Sequence, residues 1–457
     1  MPKKKTALTI EERLQQALVS AEEQPYEVPE NWVWVRLGSL ADVKGGKRLP
    51  KGTTFSENIT KHPYIRVTDF NAIGVSLEGL KYIDEDVYEK ISRYTISSDD
   101  IYVSIAGSIG KVGIIPSCID GANLTENAAK ITNIKGINQK YLCLFLKSEF
   151  AQYQMQSATI ATTQAKLALF RIESLTFPLP PLSEQQRIVE RIEELFAKLD
   201  EAKERLQEVA DSFAVRKAGI LHKAFTGELT QQWRRENGVS DESWEEKKLG
   251  EVGVLERGRS KHRPRNDERL FGGIYPFIQT GDVANADMFI EKHSQTLSDF
   301  GMQQSKLFAK NTICITIAAN IGKVAILSYD SCFPDSVVGL TTDEKNSYKY
   351  VYYYLSTQQK ELESKAPATA QKNINLKVLN DLDIPLPSLP EQHEIVRLID
   401  DLLARERAAQ QATEQALVSI DLMKKSILAR AFRGELGTNK ASEASALELL
   451  RQGLAGN

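Results

Sequence analysis

Apolar residues recur in two rhythms along this chain. In the first, Ile188, Ile192, Leu195, Leu199, Ala202, Leu206, Val209 and Phe213 step alternately by four and three, the seam of a coiled-coil helix. A second seam, Ile395, Ile399, Leu402, Glu406, Ala409, Thr413, Ala416 and Ile420, keeps the same steps but is weaker, because Glu406 and Thr413 fall on it. Ser183 with Gln186 predicts a capping box at the start of the first helix, and Lys223 followed by Gly227 predicts its last turn and stop. A narrow stripe on each of two long helices is best buried by pairing them. Residues 183–225, at about 1.5 Å each, make a rod of about 65 Å. An antiparallel pairing is expected to hold the flanking domains at opposite ends of it.

The second rhythm belongs to strands. Tyr64 to Val67, Ile101 to Ile105, Val112 to Ile115 and Ile313 to Ile317 are short β-branched or aromatic runs broken by Gly, Asn and Asp. Gln139 to Gln156 and Tyr348 to Glu363 carry apolar residues at helical spacing. The predicted fold class is therefore α+β, with two mixed α/β domains separated by two long helices pairing as an antiparallel coiled coil. The expected boundaries are an N-terminal arm at 1–30, a first domain at 31–181, a long helix at 182–230, a linker at 231–242, a second domain at 243–388, a second long helix at 389–436 and a tail at 437–457. A helix at 10–21 is expected to lie against the rod.

The two halves are copies of one design. Trp32-x4-Leu37-Gly38 returns as Trp244-x4-Leu249-Gly250, and the run 104–115 returns at 316–327 with 7 of 12 positions identical, both at an offset of 212. The run 178–192, Pro-Leu-Pro-x-Leu-x-Glu-Gln and its continuation, returns at 385–399 with 9 of 15 identical, and Ala224-Phe-Thr-Gly-Glu-Leu229 returns as Ala431-Phe-Arg-Gly-Glu-Leu436, both offset by 207. So long a period is a duplicated domain rather than a solenoid unit. Between these blocks the halves diverge, as in 51–100 against 266–311, so one architecture carries two different surfaces.

Composition narrows the function classes. With 457 residues, 42% of them apolar and 26% charged, the chain resembles an ordinary globular protein of about three domains. Cys118, Cys143, Cys314 and Cys332 form no Cys-x-x-Cys pair and the five His are scattered, which argues against a zinc finger or a disulfide framework and predicts a reducing cytoplasm. No apolar run approaches a membrane span, and no membrane partner is expected. The net charge of −3 is not that of a protein coating nucleic acid indiscriminately, so any nucleic-acid affinity has to be local.

The doubled set of motifs, Trp-x4-Leu-Gly, Ile-Gly-Lys-Val, Pro-Leu-Pro-x-Leu-x-Glu-Gln and Ala-Phe-x-Gly-Glu-Leu, resembles the specificity subunit of type I restriction–modification enzymes from about Trp32 to Leu436. The resemblance implies two target recognition domains, each reading one half of a split, asymmetric double-stranded DNA site. It implies docking of two modification (methyltransferase) subunits and then restriction subunits. It also implies a non-catalytic chain without cofactors of its own, S-adenosylmethionine, ATP and Mg belonging to the partners. A coiled-coil scaffold binding only protein is the alternative.

Candidate DNA contacts follow from residue chemistry. A basic cluster recurs at matched places: Lys44, Lys47, Arg48 and Lys51 in the first half, Arg257, Arg259, Lys261, Arg263 and Arg265 in the second, with no acid in either run. Glycines beside them let backbone approach a phosphate. Lys111 and Lys323 follow Gly110 and Gly322; a phosphate contact and a plain strand-to-strand turn both fit, while the nucleotide-binding loop is incomplete. Gln164 with Lys166, and Gln371 with Lys372, sit in polar loops whose amides and amines suit base edges. Arg66 with Thr68, and Gln279 with Thr280, follow matching strands and are further base-contact candidates. Pro334-Asp335 with Asp343-Glu344-Lys345 has a faint nuclease-like pattern that the first half lacks, so catalytic residues and a metal site are expected to be absent.

Overall fold

The computed structural model describes residues 9–71, 74–157, 166–240, 242–366 and 373–455. The chain forms two compact units, Met1–Leu206 with Ala416–Asn457, and Gln207–Gln415, so the division falls inside both long helices, Leu182–Phe225 and Leu389–Ala431.

In the first unit, Val33–Arg36 pairs antiparallel with Thr176–Leu179, tying the start of the first domain to its end. Between them lie two four-stranded sheets. One runs Asp42–Gly45, Ala128–Thr132, Ile101–Ser104, Val112–Gly113, antiparallel throughout. The other runs Lys81–Tyr82, Pro63–Ile65, Ala122–Leu124, Thr95–Ile96, with the middle pair parallel. The second unit repeats the plan. Glu245–Lys248 pairs with Asp383–Leu386, and the sheets are Gly253–Arg257, Val337–Thr342, Ile313–Thr316, Val324–Leu327 and Phe289–Ile290, then Gln295–Leu297, Phe271–Phe277, Ser331–Cys332 and Leu307–Phe308. Several central strands, including Ile101–Ser104 and Ile313–Thr316, are buried at every position, which is why their sequences read as continuous apolar runs instead of alternating ones.

The predicted helix at 139–156 breaks into Gln139–Leu146 and Glu149–Ser157, and that at 348–363 into Tyr348–Thr357 and Gln359–Ser364. The strand expected at 112–115 ends at Gly113. There the Tyr102 ring crowds the Gly113 Cα, where a side chain would lie 2.3 Å from the hydroxyl.

Each long helix inserts its ends into a domain core. Ile188, Val189 and Ile192 join Leu428, Ala431 and Phe432 in the first core, while Leu221 and Ala224 join Ile395, Val396, Ile399 and Leu403 in the second. The helices run antiparallel within each unit. In the first, Lys203 pairs with Asp421 at 2.8 Å and the Lys424 ammonium lies 5.1 Å from the Phe196 ring centroid. In the second, Arg216 pairs with Glu406 at 2.8 Å.

Between the ends the seam is thinner than its heptads predict. Leu195, Leu199, Ala202 and Leu206 are half-buried and Phe213 and Ile420 are buried, but Val209 and Ala409 are exposed. The middle of the second seam carries Glu406, Ala409 and Thr413 in place of large apolar residues, and the Thr413 hydroxyl donates to the Ala409 carbonyl. Leu403 is buried where Leu402 is only half-buried, because the helix turns that face to the domain core.

The capping box also needs correcting. The first helix begins at Leu182, so Ser183 already lies in its first turn, and the Pro181 carbonyl accepts from the Glu184 and Gln185 amides. The N-terminal helix is shorter than expected, Ile10–Ala17. It packs on the C-terminal helix Ala446–Ala455, with Arg13 Nη1 donating to the Leu454 carbonyl at 3.2 Å.

Candidate nucleic-acid interface

The repeated motifs meet in three dimensions, and their role is architectural. In the first unit Trp32 Nε1 donates to the buried Glu184 at 2.8 Å, and Asn439 and Thr438 donate to the same carboxylate. Gly434, at φ +76°, packs beside the Trp32 ring. The second unit repeats this with Trp244, Glu391 and Gly227, at φ +78°. Here the donors after the helix are Thr230 and Arg234, each 2.7 Å from Glu391 Oε1. The neighbouring Gln185 and Gln392 accept from the Asn138 and Ser347 amides and donate to Pro180 and Pro387. Thus Trp-x4-Leu-Gly, Glu-Gln and Gly-Glu-Leu lock one helix start to the other helix's end.

The two carboxylates differ. Burial raises the Glu184 pKa, the donors from Trp32, Asn439 and Thr438 opposing it, whereas Glu391 faces a buried guanidinium. A raised folded-state value means that the native form binds the proton more tightly, so this group's stabilisation is present at low pH and is lost as pH rises through that value. The urea midpoint of the wild type is expected to rise relative to Glu184→Gln as pH is lowered from neutral towards the ordinary glutamate range. A constant difference across that range would contradict this.

The divergent loops carry the candidate contacts. The first basic loop leaves Asp42–Gly45 at Gly46, whose amide donates to Ala128 while the Lys47 amide donates to Leu124. A Cβ on Gly46 would lie 2.1 Å from the Thr125 carbonyl oxygen. Gly258 repeats the construction: its amide donates to Val337, the Arg259 amide donates to Phe333, and a Cβ would lie 2.2 Å from the Pro334 oxygen. Only glycine lets the strand pass so close, and the basic side chains are launched from there.

In the first unit Lys44, Lys47, Arg48 and Lys51 are exposed. Lys44 approaches Asp42 at 3.4 Å, and Arg48 pairs with Glu126 at 2.6 Å. The Lys47 carbonyl accepts from the Tyr64 hydroxyl, beside the strand leading to Arg66. Arg66 is half-buried and held by Asp69 through Nε and Nη2, while Thr68 is exposed. Lys111 Nζ donates to the Phe70 carbonyl at 3.2 Å, and Lys166 bridges to Ala106 through its backbone. These bonds set Lys47 beside the strand that leads to Arg66, and Lys111 beside Phe70 at the end of the Arg66–Asp69 turn.

In the second unit Arg257, Arg259, Lys261, Arg263 and Arg265 are all exposed. Arg257 donates to the Asp335 carbonyl at 2.6 Å and Arg265 pairs with the Asp335 carboxylate at 2.8 Å. Arg259, Lys261 and Arg263 form no ion pair among the described residues. Arg259, Arg265 and Gln279 border a single cleft of about 690 Å³. Thr280 opens the helix Thr280–Asn285. Lys323 is half-buried in a turn matching that of Lys111, its amide donating to Thr316 Oγ1 at 3.1 Å. Gln164, Gln371 and Lys372 lie outside the described residues. No group of three or more His, Cys, Asp or Glu is placed to hold a metal among the described residues, and Asp335 serves the arginines. Nor, among those residues, is any helix long and apolar enough to cross a membrane.

Two copies of the type I restriction modification DNA specificity domain match residues 29–211 and 241–417. The chain belongs to this family. Both specificity domains therefore contain the basic loop, the strand-end turn and the start of a long helix. Among relatives, the EcoBI specificity subunit of Escherichia coli is 26% identical over 90% of this chain and 87% of its own length. The putative MjaX specificity subunit of Methanocaldococcus jannaschii is 25% identical over 85% and 92%. The fold matches the HsdS subunit from Thermoanaerobacter tengcongensis with a TM-score of 0.64 at 22% identity, covering 91% of this chain and all of that one. A chain solved in a study of complex assembly and conformational transition of the type I R-M system gives 0.69 at 21% identity, covering 90% and 100%.

One residue absent from the sequence-based set adjoins this surface. Gln295 accepts from Gln279 Nε2 at 3.1 Å and lines the same cleft. It lies in the divergent stretch 266–311, where the repeat supplies no counterpart to mark it.

Proposed function

We propose that this chain is the DNA-reading subunit of a type I restriction–modification complex, each specificity domain reading one half of a split site. It would be non-catalytic. Modification subunits would supply adenine methylation with S-adenosylmethionine, and restriction subunits would supply the ATP- and Mg-dependent steps. The carrying observation is the pair of basic loops, each launched from an obligatory glycine at the same point of two otherwise divergent domains. A scaffold has no need of cations at matched positions on loops whose other residues diverge.

The test is methylation sequencing of DNA from cells expressing a candidate modification subunit with and without this chain. Adenine methylation at one split motif, only when the chain is present, is the expected result. A complex that forms without motif-dependent methylation would favour the scaffold.

Neutralising Arg259, Lys261 and Arg263 together is expected to weaken binding to all sequences alike and leave the motif unchanged. The slope of log affinity against log salt should become shallower by about 0.9 for each phosphate that these cations no longer neutralise. An unchanged slope would remove these residues from the interface.

A further inference from the structure

The cleft of the second specificity domain holds a pair of side chains with a defined hydrogen-bonding polarity. Gln279 follows the strand Phe271–Phe277, and its amide donates to Asp282 Oδ2 at 2.7 Å. The Arg66 amide donates to Asp69 Oδ2 at the same distance in the first domain, so one Asp-held turn presents a different reader in each copy. Gln295 stands opposite Phe277 on the paired strand, and its Oε1 accepts from Gln279 Nε2. Both glutamines are half-buried, both are carried by the paired strands or the turn that follows, and both face the cleft bordered by Arg259 and Arg265.

We propose that the Gln279–Gln295 pair reads an adenine in the major groove of the second half-site. Their mutual bond fixes two amide planes and leaves a carbonyl oxygen on Gln279 and an NH₂ on Gln295. Adenine presents the complement on its major-groove edge, an N6 donor beside the N7 acceptor, whereas guanine presents two acceptors, cytosine a donor and thymine an acceptor with a methyl. The flanking guanidiniums hold phosphates and set depth, which positions without specifying. In the first domain the matched Arg66 has only donors, fixed by Asp69, so this way of reading an adenine belongs to the second domain alone. This inference rests on the DNA-reading function proposed above.

The test compares motifs methylated in cells by the modification subunit with the wild-type chain, Gln279→Glu, Gln279→Leu and Gln295→Leu. The leucine variants are expected to lower discrimination at one adenine of one half by about 10- to 100-fold and to leave the other half intact. Gln279→Glu, an acceptor only, is expected to move that position towards cytosine. An unchanged motif in all three variants overturns the proposal. A measurement independent of variant folding uses the wild-type complex on duplexes carrying 7-deazaadenine, which lacks N7, at each adenine of that half in turn. A single position is expected to lose about tenfold or more in affinity, and insensitivity at every position overturns the proposal. If the wild-type chain directs methylation to no motif, the parent function fails and this inference falls with it.

Discussion

Replacing Glu391 by alanine is expected to lower the stability of the second unit by about 3–5 kcal/mol, the effect of removing one partner from a buried ion pair. The Glu391 side chain is fully buried and Arg234 is 7% exposed. The carboxylate oxygen that takes the guanidinium also takes Thr230 and Trp244, so alanine removes a counter-charge and three hydrogen bonds together. Urea unfolding followed by tryptophan fluorescence would measure the loss, since Trp244 sits on the group removed. Adding Arg234→Met should recover much of it, because replacing both partners of a buried pair by apolar groups is close to neutral. A single variant within about 1 kcal/mol of wild type would show that the pair does not hold the junction. Glu184→Ala should cost less, about 1–3 kcal/mol, because Thr438 and Asn439 stand where the second unit has Thr230 and Arg234.

The second large effect is expected at Gly258. A methyl there would lie 2.2 Å from the Pro334 oxygen and 2.4 Å from the Phe333 oxygen, both backbone atoms that no rotamer change can move. Gly258→Ala must therefore lift the strand from its neighbour and break the bonds from the Gly258 and Arg259 amides to Val337 and Phe333. Overpacking of this kind costs about 1–3 kcal/mol in stability. The larger consequence is for DNA, because the whole basic loop and the cleft wall at Arg259 shift. Loss of affinity for the methylated motif is expected to match about two mismatched base pairs, or about 2–6 kcal/mol, with the motif's first half still required. Competition between specific and random duplexes would measure it. Unchanged affinity for both the specific and the random duplexes would mean that the loop does not touch the site.

Much of this molecule was legible in its sequence because the information is local or repeated. Heptads marked both long helices, and the doubled blocks marked two domains. The glycine within each basic run reappeared as the launch point of an exposed loop. What escaped was non-local. Nothing around Ser183 signals that the helix starts one residue earlier on the Pro181 carbonyl. Nothing in the heptad spacing says that its ends, rather than its middle, carry the deepest burial. That depends on which residues the domain cores supply, such as Tyr141 beside Phe432 and Tyr350 beside Phe225.

Glu184 and Glu391 make the same point for the repeated motifs. Their repetition identified them, but the sequence offered only a helix start as their meaning. The structure shows each accepting a Trp N–H from about 150 residues away, a pairing that no short-range pattern encodes. The candidate interface divides likewise. Charge runs are visible as composition, so the basic loops could be named. The pairing of Gln279 with Gln295 depends on strand register between Phe277 and Gln295, and register is set by which faces the sheets bury. The sequence by itself determined the duplication, the helices and the sign of the charge on each loop. Only the tertiary structure decided which polar groups face each other, because hydrogen-bond partners are chosen by folding a distant strand alongside.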